Sequence, residues 1–195
     1  PAQCLQAGSW GCSSGWSRPR ATRSRSWPGW APASTPPSRG ASSAGFFDRG
    51  LAGHSDADVL VHAIADALTE AEINPGDVDY LNAHGTGTPL NDVTESKAIH
   101  LVFQEYAKLL PVSSTKAHLG HLLGACGSVE AILSIKTILE GVIPATIHTQ
   151  ELDPEIELNI VVKESQEKAV RIAMSNNLGF GGHNVSLIFK KWENR

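Results

Sequence analysis

The spacing of apolar residues divides the chain after residue 48 into helices and strands. Over 56–72, apolar positions recur every three or four residues, which predicts an amphipathic helix. Ser55 precedes this stretch as its expected N-cap, and aspartates follow in the first turn, where the helix dipole favours negative charge. The same spacing predicts helices over 95–106 and 124–139, the second ending at Gly141 as its C-cap.

Short apolar runs between the helices predict strands. These runs are 78–83, 112–114, 143–147, 172–176 and 185–190. A glycine-rich segment over 179–182 separates the last two runs and indicates a hairpin-like crossing, while residues 149–170 are polar and mixed, as in a surface excursion. Helices that alternate with short strands are typical of an α/β layered fold.

Composition limits the classes of protein to which the chain can belong. With 195 residues, 41% of them apolar, it can bury the core of one ordinary domain or of two small ones. Its formal charge of −4 argues against a nucleic-acid binder, because such proteins neutralise phosphates with basic side chains. No apolar run approaches the roughly 18 residues that cross a bilayer, so we expect no integral membrane protein. The three cysteines are far apart and form neither a disulfide framework nor a zinc cluster.

The first 47 residues differ in composition from the rest of the chain. They hold five arginines and no acidic residue, so they carry +5 while the remainder carries −9. Four of the five tryptophans lie among them, and neither a helical nor a strand period runs through them. We interpret residues 1–47 as a disordered, leader-like or artefactual segment that precedes a folded domain over 48–195. An organelle transit peptide and an Arg/Trp arm for nucleic acid or membrane are the alternatives.

Two histidines directly follow predicted strands. His84 stands in the sequence NAHGTGTP, and His121 stands in GHLLGA, a few residues after Lys116. Open α/β folds place their chemistry beyond the carboxyl ends of strands, and the surrounding glycines allow a ligand close to the backbone. Either histidine alone fits a structural role better. Because they occur together, we expect two converging imidazoles that donate hydrogen bonds to an oxyanion or enolate, with Lys116 adding positive charge.

Four longer strings carry a resemblance to a known family. They are INPGDVDYLNAHGTGTPLND over 73–92, VSSTKAHLGHLLGACGSVEAI over 112–132, GVIPATI over 141–147 and SNNLGFGGHNVSLIF over 175–189. In this order and at these separations, residues of about 70–190 resemble the C-terminal half of a β-ketoacyl-[acyl-carrier-protein] synthase. That family comprises the condensing enzymes of type II fatty-acid biosynthesis.

The resemblance implies a fold and a reaction. The fold is thiolase-like, and this region would supply its C-terminal half, a mixed sheet with helices on both faces. The reaction is an acyl transfer: malonyl carrier protein loses carbon dioxide, and its enolate attacks an acyl thioester held on a cysteine of the first half. Acyl carrier protein is the implied partner, a homodimer or a complementing condensing-enzyme subunit is the implied assembly, and no cofactor is expected. The implied location is the cytoplasm, with a mitochondrion or plastid as the alternative.

The resemblance also carries residue roles. His84 and His121 match the family's catalytic histidine pair, which supports decarboxylation and the transition-state oxyanions. Lys116 matches the motif lysine, which is expected to form a structural ion pair with Glu130 and so to order the site.

Further positions match residues that contact the substrate. Thr86 and Thr88 match threonines that line the pantetheine entrance, and Phe180 matches the phenylalanine that gates the acyl pocket; simple core packing is the alternative for Phe180. Cys126 lies at a position where the family commonly has alanine, and we interpret it as a packed small residue rather than a nucleophile.

The sequence departs from the family at the nucleophile. Neither Cys4 nor Cys12 lies in a context that resembles the family's catalytic cysteine. We therefore expect this chain alone to perform no condensation and to expose an apolar face that a partner would cover. The alternative is a non-enzymatic interaction fragment, or a chimera, that completes a partner condensing subunit.

A second, shorter resemblance covers residues 51–68. The string LAGHSDADVLVHAIADAL is similar to a signature of 2-C-methyl-D-erythritol 2,4-cyclodiphosphate synthase, a zinc enzyme, and His62 would match one of its metal ligands. One ligand does not hold zinc, which takes three protein ligands even at an open site. We therefore interpret the stretch as a helix of foreign character in the synthase domain, and we expect no metal site.

Overall fold

The computed structural model of the chain describes residues 2–9 and 54–193, with side chains from residue 57 onward. The strands are β1 Ala2–Ser9, β2 Tyr80–Asn82, β3 Pro111–Ser113, β4 Val142–Ile143, β5 Asn159–Ile160, β6 Gln166–Glu167, β7 Ile172–Gly179 and β8 His183–Lys191. The α-helices are α1 His54–Glu70, α2 Pro89–Phe103, α3 Lys116–Leu119 and α4 Cys126–Glu140.

Six strands form a mixed sheet in the order β1-β8-β7-β2-β3-β5. Strands β7, β2, β3 and β5 are parallel, whereas β8 is antiparallel to β7 and β1 is antiparallel to β8. Strands β2 and β3 are neighbours with Asn82 opposite Ser113. Because they are parallel, their carboxyl ends lie at one edge of the sheet, and the loops that follow them meet there.

Side chains of the central strands point alternately to two apolar cores, as the pleat of a strand requires. Along β7, Ile172 and Met174 join a core with helices α1 and α2, while Ala173 joins a core with α4. In β2, Leu81 faces the first core and Tyr80 the second.

The helices therefore cover both faces of the sheet, which confirms the α/β, thiolase-like arrangement predicted from the sequence. In the part of the chain that the structure describes, none of the helices is long and apolar enough to span a membrane.

The helix bounds differ from the predicted ones mainly where helices begin. Helix α2 begins at Pro89, six residues before the predicted start, because proline suits the first turn of a helix and Thr88 before it is extended. Helix α1 begins at His54, so Ser55 lies inside the first turn and is not the N-cap. Helix α4 ends as predicted, with Gly141 in the left-handed conformation at φ 68°.

The N-terminal stretch differs from the sequence-based expectation at one place. Ala2–Ser9 forms β1, which pairs along β8 with a register shift between Cys4 and Gln6. The apolar pattern of these residues does not predict a strand. An edge strand depends on hydrogen bonds to its neighbour and can form without a regular apolar period. The rest of the segment over 1–47, and the start of the stretch over 51–68, lie outside the described residues.

Candidate functional site

The loops that follow β2 and β3 bring the two predicted histidines together. The ring centroids of His84 and His121 lie 5.5 Å apart, and the ring planes are nearly perpendicular at 85°. His84 is buried, whereas His121 is exposed. Both side chains line an open cavity of about 1150 Å³, which also contacts the turn between β7 and β8. The two imidazoles can therefore approach one bound group.

His84 is held in its neutral form. Burial is the main reason that its pKa is lowered from 6.5 to about 4, and the neighbouring Lys116 ammonium and His121 imidazole contribute in the same direction. Its Nδ1 atom has no hydrogen-bond partner among the described residues. A neutral imidazole near pH 7 can donate one hydrogen bond to a developing negative charge.

Lys116 and Glu130 form a buried ion pair behind the histidines. The Lys116 Nζ atom donates to Oε1 of Glu130 at 2.5 Å, and both side chains are at most 5% exposed. Burial raises the pKa of the Glu130 carboxyl, and the Lys116 ammonium opposes that rise. Lys116 begins α3 and Glu130 lies in the second turn of α4, so the pair ties both ends of the loop that carries His121.

Glu95 is a site residue that sequence reasoning missed. From the buried side of α2, its carboxylate accepts hydrogen bonds from the backbone N–H groups of His84 and Gly85, both at 2.9 Å. Complete burial raises the pKa of this carboxyl, and those two N–H groups oppose the rise. An acidic residue four positions before Ile99, on the apolar face of a helix, is the signal that could have identified it.

The backbone after His84 approaches β3 closely. Gly85 has a positive φ of 39°, and a Cβ atom there would lie 2.6 Å from the Cβ of Ser114. The Ser114 hydroxyl donates to the Gly85 carbonyl at 2.7 Å. A residue without a side chain is required at this position, because the loop must pass over Ser114 to deliver the imidazole.

The three residues predicted to contact substrate lie on the same cavity as the histidines. Thr86 and Thr88 stand on its rim and share a hydrogen bond of 2.8 Å between their hydroxyls. Phe180 lies in the turn between β7 and β8 and is 90% exposed, so it does not pack in a core within the described residues. Lys116 faces a neighbouring cavity of about 510 Å³ that also touches His121.

Cys126 is buried, as expected of a packed small residue, but it also contacts the site. Its Sγ atom lies 3.3 Å from Nδ1 of His121. The sequence pattern missed this contact because the two residues belong to different elements, His121 to a loop and Cys126 to the first position of α4.

His62 lies apart from this cluster, on the exposed side of α1. Among the described residues, no group of three histidine, cysteine, aspartate or glutamate side chains could hold a metal ion. The structure therefore gives no support to the zinc-enzyme alternative.

The mixed sheet and the histidine pair at its edge define a thiolase-like condensing-enzyme domain. Residues 40–150 match the family model described as the beta-ketoacyl synthase C-terminal domain, which accounts for more than half of the chain. The chain belongs to the β-ketoacyl synthase family, as the sequence motifs predicted.

Curated relatives agree with this assignment. The chain is 53% identical over 131 residues to "3-oxoacyl-[acyl-carrier-protein] synthase 2" of Staphylococcus aureus (strain COL), and 47% identical over 131 residues to the protein of the same name from Synechocystis sp.. Each match covers 67% of this chain and 32% of the relative. The chain therefore spans about a third of the length of these relatives.

Solved structures show the same fold. A beta-ketoacyl synthase from Burkholderia phymatum STM815 superposes with a TM-score of 0.67 at 36% identity, over 70% of this chain and 33% of that one. "The ishigamide ketosynthase/chain length factor" superposes with a TM-score of 0.68 at 36% identity, over 70% of this chain and 34% of that one.

Proposed function

We propose that this region supplies the decarboxylation and oxyanion-stabilising half of a 3-oxoacyl-[acyl-carrier-protein] synthase active site. In that reaction, malonyl carrier protein loses carbon dioxide, and the resulting enolate attacks an acyl thioester. The observation that carries the proposal is the contact between the rings of His84 and His121, with His84 kept neutral by burial. Two imidazoles that face one cavity can stabilise an enolate oxygen by donating hydrogen bonds to it.

The other site residues would position this pair and the substrate. The Lys116–Glu130 ion pair would order the loop that carries His121. In this pair Lys116 would not act as a base. Thr86 and Thr88, with hydroxyls at the cavity rim, would contact the pantetheine arm. Phe180 would close over the acyl group, which suits an exposed aromatic side chain beside the histidines.

The cysteine that carries the acyl group would come from a first half of the fold, and Cys126 would not serve as that nucleophile. Acyl carrier protein would deliver both thioesters, and the active assembly would be a homodimer or a pair with a complementing condensing subunit. Among the similar solved structures, one is a type II polyketide-synthase acyl-carrier protein in complex with its ketosynthase, and another is a ketosynthase with a chain length factor. We place the protein in the cytoplasm, in line with the bacterial relatives.

Release of carbon dioxide from malonyl carrier protein tests the proposal. The chain is produced together with the part of the Staphylococcus aureus relative that the match does not cover, and labelled carbon dioxide is collected. We expect decarboxylation that falls about 100-fold or more in His84→Ala and in His121→Ala, since each removes a donor to the enolate. His62→Ala, an exposed histidine outside the site, is the control and leaves the rate unchanged. Equal rates in all four proteins would refute the proposal.

A further inference from the structure

Cys126 lies beside the histidine pair but has no part in the proposed chemistry. It is the first residue of α4 and is 4% exposed, and it lines the cavity that both imidazoles share. Its Sγ atom lies 3.3 Å from Nδ1 of His121 and 3.1 Å from the backbone nitrogen of Leu122. The thiol is therefore within hydrogen-bond reach of an imidazole and a backbone N–H at once.

The backbone around His121 determines which atom holds the proton in this contact. The N–H group of Leu123 donates to Nδ1 of His121 at 3.1 Å, so Nδ1 is an acceptor and carries no hydrogen. The hydrogen between Sγ and Nδ1 consequently belongs to the thiol. The Leu122 N–H donates to Sγ on its other side and so fixes the sulfur, whose S–H then points to the imidazole.

A second observation concerns the cavity itself. His84 lines it together with His121, and the two ring centroids lie 5.5 Å apart. A molecule bound in this cavity would therefore contact both imidazoles. The orientation of His121, whose ring touches that of His84, then decides which atoms the ligand meets.

We infer that Cys126 is a positioning residue for His121. By donating its S–H to Nδ1, to which the Leu123 N–H also donates, the thiol adds to the stability of the tautomer that carries its proton on Nε2. Nε2 is then the hydrogen donor that the ring offers to a bound thioester. The inference rests on the proposed function for the identity of that ligand, whereas the tautomer is a property of the chain itself.

Nitrogen NMR of the 195-residue chain with ¹⁵N-labelled histidine tests the inference without substrate. The His121 signals are assigned by their loss in His121→Gln, and the variants are Cys126→Ala, Cys126→Ser and, as a control, Ser128→Ala at an exposed position of the same helix. The other titratable groups around His121 are His84, Lys116, Glu130 and, across the cavity, His183, and all of them stay unchanged.

We expect the wild-type ring to carry its proton on Nε2. In Cys126→Ala, loss of one donor to Nδ1 raises the protonation constant of His121 by about threefold to tenfold, the range expected for one hydrogen bond. Cys126→Ser keeps a donor and restores most of the wild-type value, and Ser128→Ala matches wild type.

Three results would each overturn the inference. They are a wild-type ring protonated on Nδ1, a Cys126→Ala titration within twofold of wild type, and a Ser variant that behaves like the Ala variant. The first needs no variant, so a misfolded Cys126→Ala protein does not block the test. If His121 lacks the expected tautomer but malonyl carrier protein is still decarboxylated, only the role of Cys126 is refuted. If His121 has the expected tautomer but no decarboxylation is found, only the proposed function is refuted.

Discussion

At the scale of single residues, burial sets the protonation state of His84 and so makes folding depend on pH. The folded pKa is about 4 and the ordinary value is 6.5, so between these limits the unfolded chain binds a proton that the folded chain does not. Stability that is fully present above pH 6.5 is therefore lost as the pH falls toward 4, by at most about 3 kcal/mol.

Urea unfolding from pH 4 to 7.5 measures this slope. We expect the free energy of unfolding of wild type, minus that of His84→Gln, to decrease as the pH falls. The comparison cancels the contributions of Glu95 and Glu130, whose raised carboxyl pKa values act in the opposite direction. Ser128→Ala, at an exposed position of α4 that carries no titratable group, serves as the control and retains the wild-type slope. A pH-independent difference would contradict the assignment of a neutral, buried His84.

Two ion pairs of equal length show how burial decides what a charge pair contributes. Lys116 and Glu130 are 2.5 Å apart in the interior, and Lys136 and Glu140 are 2.5 Å apart on the surface of α4. Lys116→Met leaves the Glu130 carboxyl buried without its partner, so we expect a loss of about 3–5 kcal/mol of unfolding free energy. Lys136→Met should cost less than about 1 kcal/mol.

Denaturant unfolding of both variants checks this difference. The double variant Lys116→Met/Glu130→Leu should recover much of the loss, since it removes the uncompensated charge. Equal losses in the buried and the surface variant would show that Lys116 and Glu130 are not paired in the folded protein.

Sequence reasoning identified the site residues that stand in short motifs and missed those that depend on distant contacts. His84, His121 and Lys116 follow strands and carry recognisable neighbours, so their meeting point could be predicted. Glu95 joins the site only because α2 packs across the loop after β2. The contact between Cys126 and His121 depends likewise on the turn that precedes α4, which apolar spacing does not report.

At the scale of elements, α2 acts on the site through the loop that it holds. Glu95 satisfies two backbone N–H groups of the His84 loop, and Asp92 on the same helix accepts from the Gly87 N–H at 3.3 Å in an exposed position. Glu95→Gln replaces one carboxylate oxygen by an amide NH₂ group, which would face the buried backbone N–H of His84 or Gly85 without accepting from it. We expect a loss of about 1–3 kcal/mol of stability.

The same variant should slow malonyl decarboxylation about 100-fold, because a small displacement of a catalytic group has an effect of that order. Asp92→Asn is the matched control and should change either quantity little. The measurements are urea unfolding and the carbon dioxide assay. If Asp92→Asn proved as damaging as Glu95→Gln, the buried carboxylate would not be what holds the loop.

The elements also differ in how well their bounds follow from the sequence. The apolar period fixed α4 within two residues, because a long periodic helix ending at a glycine is a strong pattern. Strands of two or three residues, such as Asn159–Ile160, are set by neighbours in the sheet and leave almost no period to detect. The strand Ala2–Ser9 was missed for the same reason, since only its pairing with β8 makes it a strand.

At the scale of the whole molecule, the side of α4 that turns away from the sheet exposes two large apolar side chains beside the surface pair Lys136–Glu140. Ile132 and Leu139 lie one heptad apart, on the same side of the helix, and are 58% and 53% exposed. Phe180 and Leu123, on neighbouring loops, are exposed as well. Exposed apolar side chains near one another are typical of protein interfaces, and we propose a first half of the condensing-enzyme fold as the partner that covers them.

Co-purification tests whether such a partner covers this face. The tagged chain is produced with the part of the Staphylococcus aureus relative that the match does not cover, and we expect a stable complex. Ile132→Asp should reduce the recovered partner about tenfold or more, since it places a charge in a desolvated contact. Leu101→Asp, on α2 and 63% exposed, is the matched control on the opposite side of the sheet and should leave recovery unchanged. Equal recovery with both variants would show that the exposed side of α4 is not the interface. The same complex can be incubated with a radiolabelled acyl thioester. Label on Cys126 instead of on the partner would show that the nucleophile belongs to this chain.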